Sequence, residues 1–335
     1  MKKKLFLILI CCVMSMSVFA EDYTDANNVT WKVTLNESTK EATIEQGVAG
    51  NTKDVVVPGT ITIGEQNYIV TAIGYCAFAT REDIETISLP ATITTIANGG
   101  YTTINDSYTT YGVFSRNKNL KSVDFNGASC TIGDYAFDNC SSLSSVVDLS
   151  QCTSIGYEAF RNCSALTSVG NLSQCKSIGE SAFSGCSALN KIVLSSETMA
   201  TLGSTIGEHT SVLVPESLLE NYKAADNWKD MAYRILSIGT TTEYDVEVVA
   251  SDNSSALQTK IGEENLANVI ALKVKGSING YDVMILRNKM VNLHSLDLSE
   301  ANIVEDANHY CYYGSYYNSD ADKENENAAL NKNIY

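Results

Sequence analysis

Residues 132–143 read IGDYAFDNCSSL, residues 155–166 read IGYEAFRNCSAL and residues 178–189 read IGESAFSGCSAL. The three segments are in phase at a spacing of 23 residues, and each continues into Val or Ile three residues on. Position by position, Ile132, Ile155 and Ile178 recur, as do Phe137, Phe160 and Phe183, Cys140, Cys163 and Cys186, and Leu143, Leu166 and Leu189. Upstream, Ile73-Gly74 with Ala77-Phe78, Ile84, Ile87 and Leu89-Pro90 is a further copy, with Arg81 in the Cys position. Ile96 opens another, whose Val113-Phe114, Leu120 and Val123 arrive 13 residues late; Phe114 to Phe137 is again 23.

A fixed period of this length means that each copy is one supersecondary unit unable to bury its apolar face alone, so that stacking on its neighbours completes the core. The structural core is therefore expected at Ile73, Phe78, Phe114, Ile132, Phe137, Cys140, Leu143, Ile155, Phe160, Cys163, Leu166, Ile178, Phe183, Cys186 and Leu189. Short runs such as Leu120-x-x-Val123-x-Phe125 suit parallel strands, and five coils at strand spacing extend roughly 25 Å. The expected fold is a β-rich α/β solenoid: a right-handed superhelix of about five 23-residue coils. The Gly after each Ile is expected to let the backbone turn tightly where a side chain would clash. The Ala-Phe-x-x-Cys stretch is expected to form one helical turn, and Glu158, read as a surface position, is expected to tolerate Ala.

This repeat resembles the BspA-like (Treponema pallidum type) leucine-rich repeats of bacterial surface proteins, over roughly residues 55–238. The resemblance extends to an end cap, Val214-Pro215, Leu219, Tyr222-Lys223, Ala225 and Trp228 through Ile235. A front hairpin, Trp31, Val33 and Leu35 with Ala42 and Ile44, leads into Val55–Val57. It implies an adhesive or partner-binding protein, with a protein partner from the host extracellular matrix or another bacterial surface.

Around the array, Lys2, Lys3 and Lys4, the apolar run Leu5–Met14 and Val18-Phe19-Ala20 have the form of a secretory signal peptide over residues 1–20. The expected order is then an N-terminal β cap (21–72), the repeat domain with its C-terminal cap (73–237), a linker (238–244) and a second, incomplete leucine-rich repeat unit (245–335). In that last unit Leu272-x-Val274 and Leu296-x-Leu298 are 24 apart, with helical spacing from Tyr281 to Met290.

Lys and Arg total 23 against 39 Asp and Glu, a net charge of −16. Loss of residues 1–20 leaves 20 basic side chains against 39 acidic ones, or −19. Such an excess repels nucleic acid and anionic lipid surfaces. No other segment is long and apolar enough to span a bilayer. Export and surface display or secretion are expected.

No cofactor and no enzymatic activity are expected. His209, His294 and His309 lack the paired spacing of a zinc site, although His309-x-Cys311 brings two ligand types close. Asn318-x-Asp320-x-Asp322 begins like a calcium loop, but Lys323 and Ala329 occupy its turn and bidentate positions. Gly179-Glu180-Ser181 imitates a nucleophile elbow until Phe183 replaces its second Gly. Eight Cys remain after export, and those of the columns Cys140/Cys163/Cys186 and Cys152/Cys175 are read as free buried thiols with parallel side chains. The segment between Ile96 and Val113 is a loop carrying Tyr101, Tyr108 and Tyr111, the candidate binding residues, because Tyr on a rigid scaffold offers contact area at small entropic cost. The aromatic tail Tyr310, Tyr312, Tyr313, Tyr316 and Tyr317 is a second candidate, with an unfinished core as its alternative reading. The function expected is protein–protein binding or adhesion. The alternatives are a non-binding structural spacer of a larger envelope protein and, more remotely, glycan processing by an acid pair.

Overall fold

The computed structural model describes residues 18–48, 53–104, 107–204, 206–207, 210–240, 242–250 and 254–304. The chain divides between Thr241 and Thr242 into two compact units.

In the first unit the Ile of each copy lies on a short parallel strand. Ile73, Ile96, Ile132, Ile155, Ile178 and Leu202 pair in register one after the next. A second parallel ladder pairs Val55, Ile87, Val123 and Val146, and a third pairs Ile192, Val212 and Ile235. These apolar side chains face inward and are almost wholly buried. Between the ladders the Phe rings stack: Phe78, Phe114, Phe137, Phe160 and Phe183 have consecutive centroids 4.8–5.4 Å apart and planes within 13°. Trp31 meets the first of them edge-on at 6.3 Å. All the expected core residues are buried. The result is a stacked repeat fold rich in strands and poor in helix.

The Ala-Phe-x-x-Cys stretch is not a helical turn. Its N–H groups alternate between two destinations. Ala136, Asp138 and Cys140 donate back to Gly133, Tyr135 and Phe137, closing turns, while Tyr135, Phe137 and Asn139 donate to Tyr157, Ala159 and Arg161 of the next copy. Alternation requires a left-handed residue on each side of the Phe, and Tyr135 (φ 57°) and Asn139 (φ 61°) supply it, as do Glu158 (φ 48°) and Asn162 (φ 59°). Inter-repeat hydrogen bonds have displaced the helix. The Gly after each Ile matters for spacing instead. A Cβ on Gly179 would lie 2.5 Å from the Gly156 carbonyl carbon, so the glycine column sets how closely copies approach.

At the front, Glu41–Val48 pairs antiparallel with Thr30–Asn36 and parallel with Gln66–Ile73. The hairpin therefore joins the Ile ladder rather than the Val55 ladder, and the expected boundary at 72/73 falls inside a strand. Most of the expected signal peptide lies outside the described residues. Its last three, Val18–Ala20, extend a strand that runs to Thr24 and pairs with Thr30–Asn36, because that partner still offers free backbone groups there. Cleavage after Ala20 would leave Glu21–Thr24 paired.

Between the strands that hold Val214 and Ile235, the last two of the third ladder, Leu219–Ala224 is a short α-helix and Lys229–Arg234 a 3-10 turn. Both large aromatics here are buried and satisfy one residue: the Tyr222 hydroxyl accepts from Ala200 N at 2.8 Å, and Trp228 Nε1 donates to Ala200 O at 3.1 Å.

Among the described residues the second unit has three parallel strands, Glu243–Val248, Ala271–Ile278 and Ser295–Ile303, with helices at Ala256–Ile261 and Gly280–Asn288. Glu243 and Tyr244, expected in the linker, start the first of these strands because Tyr244 pairs with Leu272. Asn279 and Asp282 form a reciprocal capping box at the longer helix. The aromatic tail, His309, Cys311 and the calcium-like stretch lie outside the described residues, as does His209.

Candidate recognition surface

The inserted segment is a two-stranded antiparallel hairpin, Gly100–Ile104 against Ser107–Tyr111, and not a loop. Its Thr, Ile and Tyr content favours extended backbone. Tyr101 pairs with Thr110, Tyr108 with Thr103 and Tyr111 with Gly100. Tyr111 is half-buried, and the Arg116 guanidinium lies 6.0 Å from its ring centroid.

The hairpin is tied to the repeats through a buried carboxylate. Asp138 is fully buried and accepts from the Thr110 hydroxyl, from Asn139 Nδ2 at 2.8 Å and from Arg161 Nε at 2.8 Å. Arg161 also reaches Thr110 Oγ1 at 3.3 Å and pairs with Glu158. A buried ion is tolerable only when its lone pairs are filled, and here three partners fill them. Glu158 is consequently not a surface position: it is 9% exposed, left-handed and ion-paired. Its interaction with the Tyr157 phenol, followed by burial, pushes that phenol up to about 12. The Tyr135 and Tyr157 rings meet edge to face at 5.3 Å.

Beneath this surface runs a column of polar groups where residue type alone shows only small hydrophobes. Cys140, Cys163 and Cys186 donate their thiols to the carbonyls of Phe114, Phe137 and Phe160 at 3.0–3.2 Å. In the copy containing the insertion, Asn117 does the same with Nδ2 to Phe78 O at 2.7 Å. The slot thus asks for a donor as well as for small volume. Burial pushes the Cys140 and Cys175 thiols up to about 12, and all seven described cysteines are free. Cys130 extends the Cys152/Cys175 column, but its spacing of 22 rather than 23 hides it from period counting.

Ser181, the elbow-like Ser, sits in a turn with φ 56°, and its backbone N–H donates to Ser204 Oγ at 3.1 Å. His294 lies in the other unit, in the segment between Met290 and the strand that starts at Ser295. Among the described residues no three His, Cys, Asp or Glu gather as a metal site, and no helix is long and apolar enough to cross a membrane. The Asp138–Arg161 pair is absent from the sequence-based candidates, although opposite charges one full period apart are a visible signal.

A family model described as the BspA type leucine rich repeat region matches residues 60–109 and 107–213, in six copies. Beyond Phe183, Ile206 holds the Phe phase at 23 residues, while Leu202-Gly203 stands 24 residues beyond Ile178-Gly179. Among solved structures, a leucine rich cell surface protein from Faecalibacterium prausnitzii is 17% identical over 83% of this chain and 72% of its own, with a TM-score of 0.38. The pneumococcal vaccine antigen PcpA is 19% identical over 87% and 70%, with a TM-score of 0.44. The T. pallidum leucine rich repeat protein is 20% identical over 62% and 94%, with a TM-score of 0.37. No curated protein matches the sequence.

Proposed function

Residues 60–213 belong to the BspA-type leucine-rich repeat family, and from that premise we propose that this is a secreted or cell-surface protein whose repeat array binds another protein. In this reading the array is a solenoid of about five 23-residue coils and a degenerate sixth. The N-terminal strands close its front, and the Tyr222/Trp228 segment closes its back. Residues 1–20 direct export, and the unit from Thr242 opens a second leucine-rich array. The partner is a host matrix protein or another bacterial surface protein, and the role is adhesion.

One observation carries the reading: the hairpin bearing Tyr101, Tyr108 and Tyr111 is fastened by Thr110 and Asp138 to a stack of buried rings. An element already rigid before contact loses little conformational entropy on binding, and Tyr supplies area with few rotatable bonds. Side chains on this edge can vary without disturbing the columns beneath.

The test is a screen of the chain from Glu21 onward, immobilised, against matrix and bacterial surface proteins. A partner whose affinity falls at least tenfold when Tyr101, Tyr108 and Tyr111 are all changed to Ser, with the thermal melt unchanged, is the expected result. Binding that survives the triple change removes the hairpin from the interface; a screen that captures nothing overturns the binding role.

A further inference from the structure

Three residues before each buried Phe stand, in order, Tyr75, Tyr111, Asp134, Tyr157 and Glu180. Tyr75 and Tyr157 are 51% and 37% exposed; Glu180 is exposed, and Tyr111 and Asp134 are half-buried. The members are held one repeat apart. Tyr157 N donates to Asp134 Oδ1 at 2.7 Å, and Glu158 N to Glu180 O at 3.0 Å. The row is a line of tyrosines with carboxylates set among them, exposed at Tyr75, Tyr157 and Glu180.

A tyrosine ring face attracts a cation, and a nearby carboxylate adds to the attraction. One such place is already filled, by Arg116 over Tyr111. No cation lies over the ring of Tyr75 or Tyr157 among the described residues, and Arg161 is engaged by Asp138 and Glu158. The chain as a whole carries −16.

We infer that this row is the docking track for an extended basic segment of the protein partner, with Lys or Arg side chains seated over Tyr75 and Tyr157 and neutralised by Asp134 and Glu180. This rests on the protein-binding reading above and gives that partner its chemistry. The spacing narrows it further. Three repeat steps, at the 4.8–5.4 Å of the rings beneath, separate Tyr75 from Tyr157 by roughly 15 Å. An extended chain rises about 3.4 Å per residue, so cations four residues apart reach both rings. A neutral glycan would stack on the same rings but leave the carboxylates uncompensated.

Fluorescence anisotropy with the whole chain tests this, using a Gly/Ser peptide with Lys at positions 1 and 5. The controls are the same peptide with Glu at both positions, one with Lys at positions 1 and 2, and cellohexaose as a neutral glycan. The 1,5-Lys peptide should bind best. Tyr75→Ser or Tyr157→Ser should weaken it about 3- to 30-fold, Tyr→Phe at either place should keep it, and Asp134→Asn should weaken it and flatten its salt dependence. Equal binding of the Glu peptide, indifference to Tyr→Ser, or ring-dependent binding of cellohexaose in place of the peptide would each overturn the track. If the screen finds a protein partner that the Tyr75→Ser/Tyr157→Ser double variant still holds, the track is lost and the binding role stands. If the screen finds no partner, the binding role itself fails.

Discussion

Phe137 and Phe160 occupy matched places in the array, and Leu272 and Leu296 occupy matched places in the second unit. Both Phe are fully buried, each with a ring stacked on either side. Leu272, on the middle strand, is 2% exposed, whereas Leu296, on the outer one, is only half-buried. Within each pair the side chains are of one kind. What differs is the number of neighbours: among the described residues Leu296 has a paired strand on one side only. Burial in a stacked fold is thus a property lent by the adjoining copies, not one that a copy owns.

Phe160→Ala strikes the fully covered case. Rigid rings above and below cannot refill the space, so a loss of about 3–5 kcal/mol is expected by denaturant unfolding of the array. An equal loss from any exposed substitution would mean that the stack contributes nothing special. The sharper form of the comparison lies within the second unit. Leu272→Ala should cost about 2–5 kcal/mol and Leu296→Ala about 1 kcal/mol, the smaller value reflecting atoms that already touch water. Equal values would show that the outer strand is as well covered as the middle one.

Glu158→Ala is the next test, at about 1–2 kcal/mol, because Arg161 loses one of its two carboxylates in a mostly water-free setting. Period counting alone assigns this position to the surface. Its phase partners Cys76, Tyr135 and Ser181 differ so much in chemistry that they read as an unconstrained column. What these four share is a left-handed backbone, invisible to residue type because none of the four is Gly or Asn.

That case shows where sequence legibility stops. The Ile, Phe, Cys and Leu columns are readable because apolar identity repeats at one interval. The Phe-flanking turns read as helix, since the decisive hydrogen bonds run to the next copy and have no local signature. The hairpin of residues 100–111 reads as a loop because an insertion has no period of its own, although its alternating Thr and Tyr are a strand signal. The Tyr75–Glu180 row is hidden because its members change type from copy to copy; only alignment on the Phe column reveals it.

The smallest effect belongs to the Val55 ladder's edge. Lys121 first, then Lys53, holds the Glu85 carboxylate down at about 2 against an ordinary 4.5. A carboxylate depressed in the folded state contributes stability above its ordinary value and loses it as pH falls from about 4.5 through 2. Carbon-detected NMR titration should place Glu85 near the lower figure in low salt. Lys53→Gln with Lys121→Gln should return it toward 4.5 and reduce the drop in melting temperature between pH 5 and pH 2. A Glu85 titration unmoved by the double change would break the assignment.

The inter-copy bonds have an evolutionary corollary. Because carbonyls at one turn are met by donors in the next, the gene can gain or lose whole copies by recombination without re-registering those that remain. Extra chain of any other length has no seat in the pile and must leave it sideways, as Gly100–Tyr111 does. New surface insertions can therefore be tried out at a junction while the interior is left unaltered.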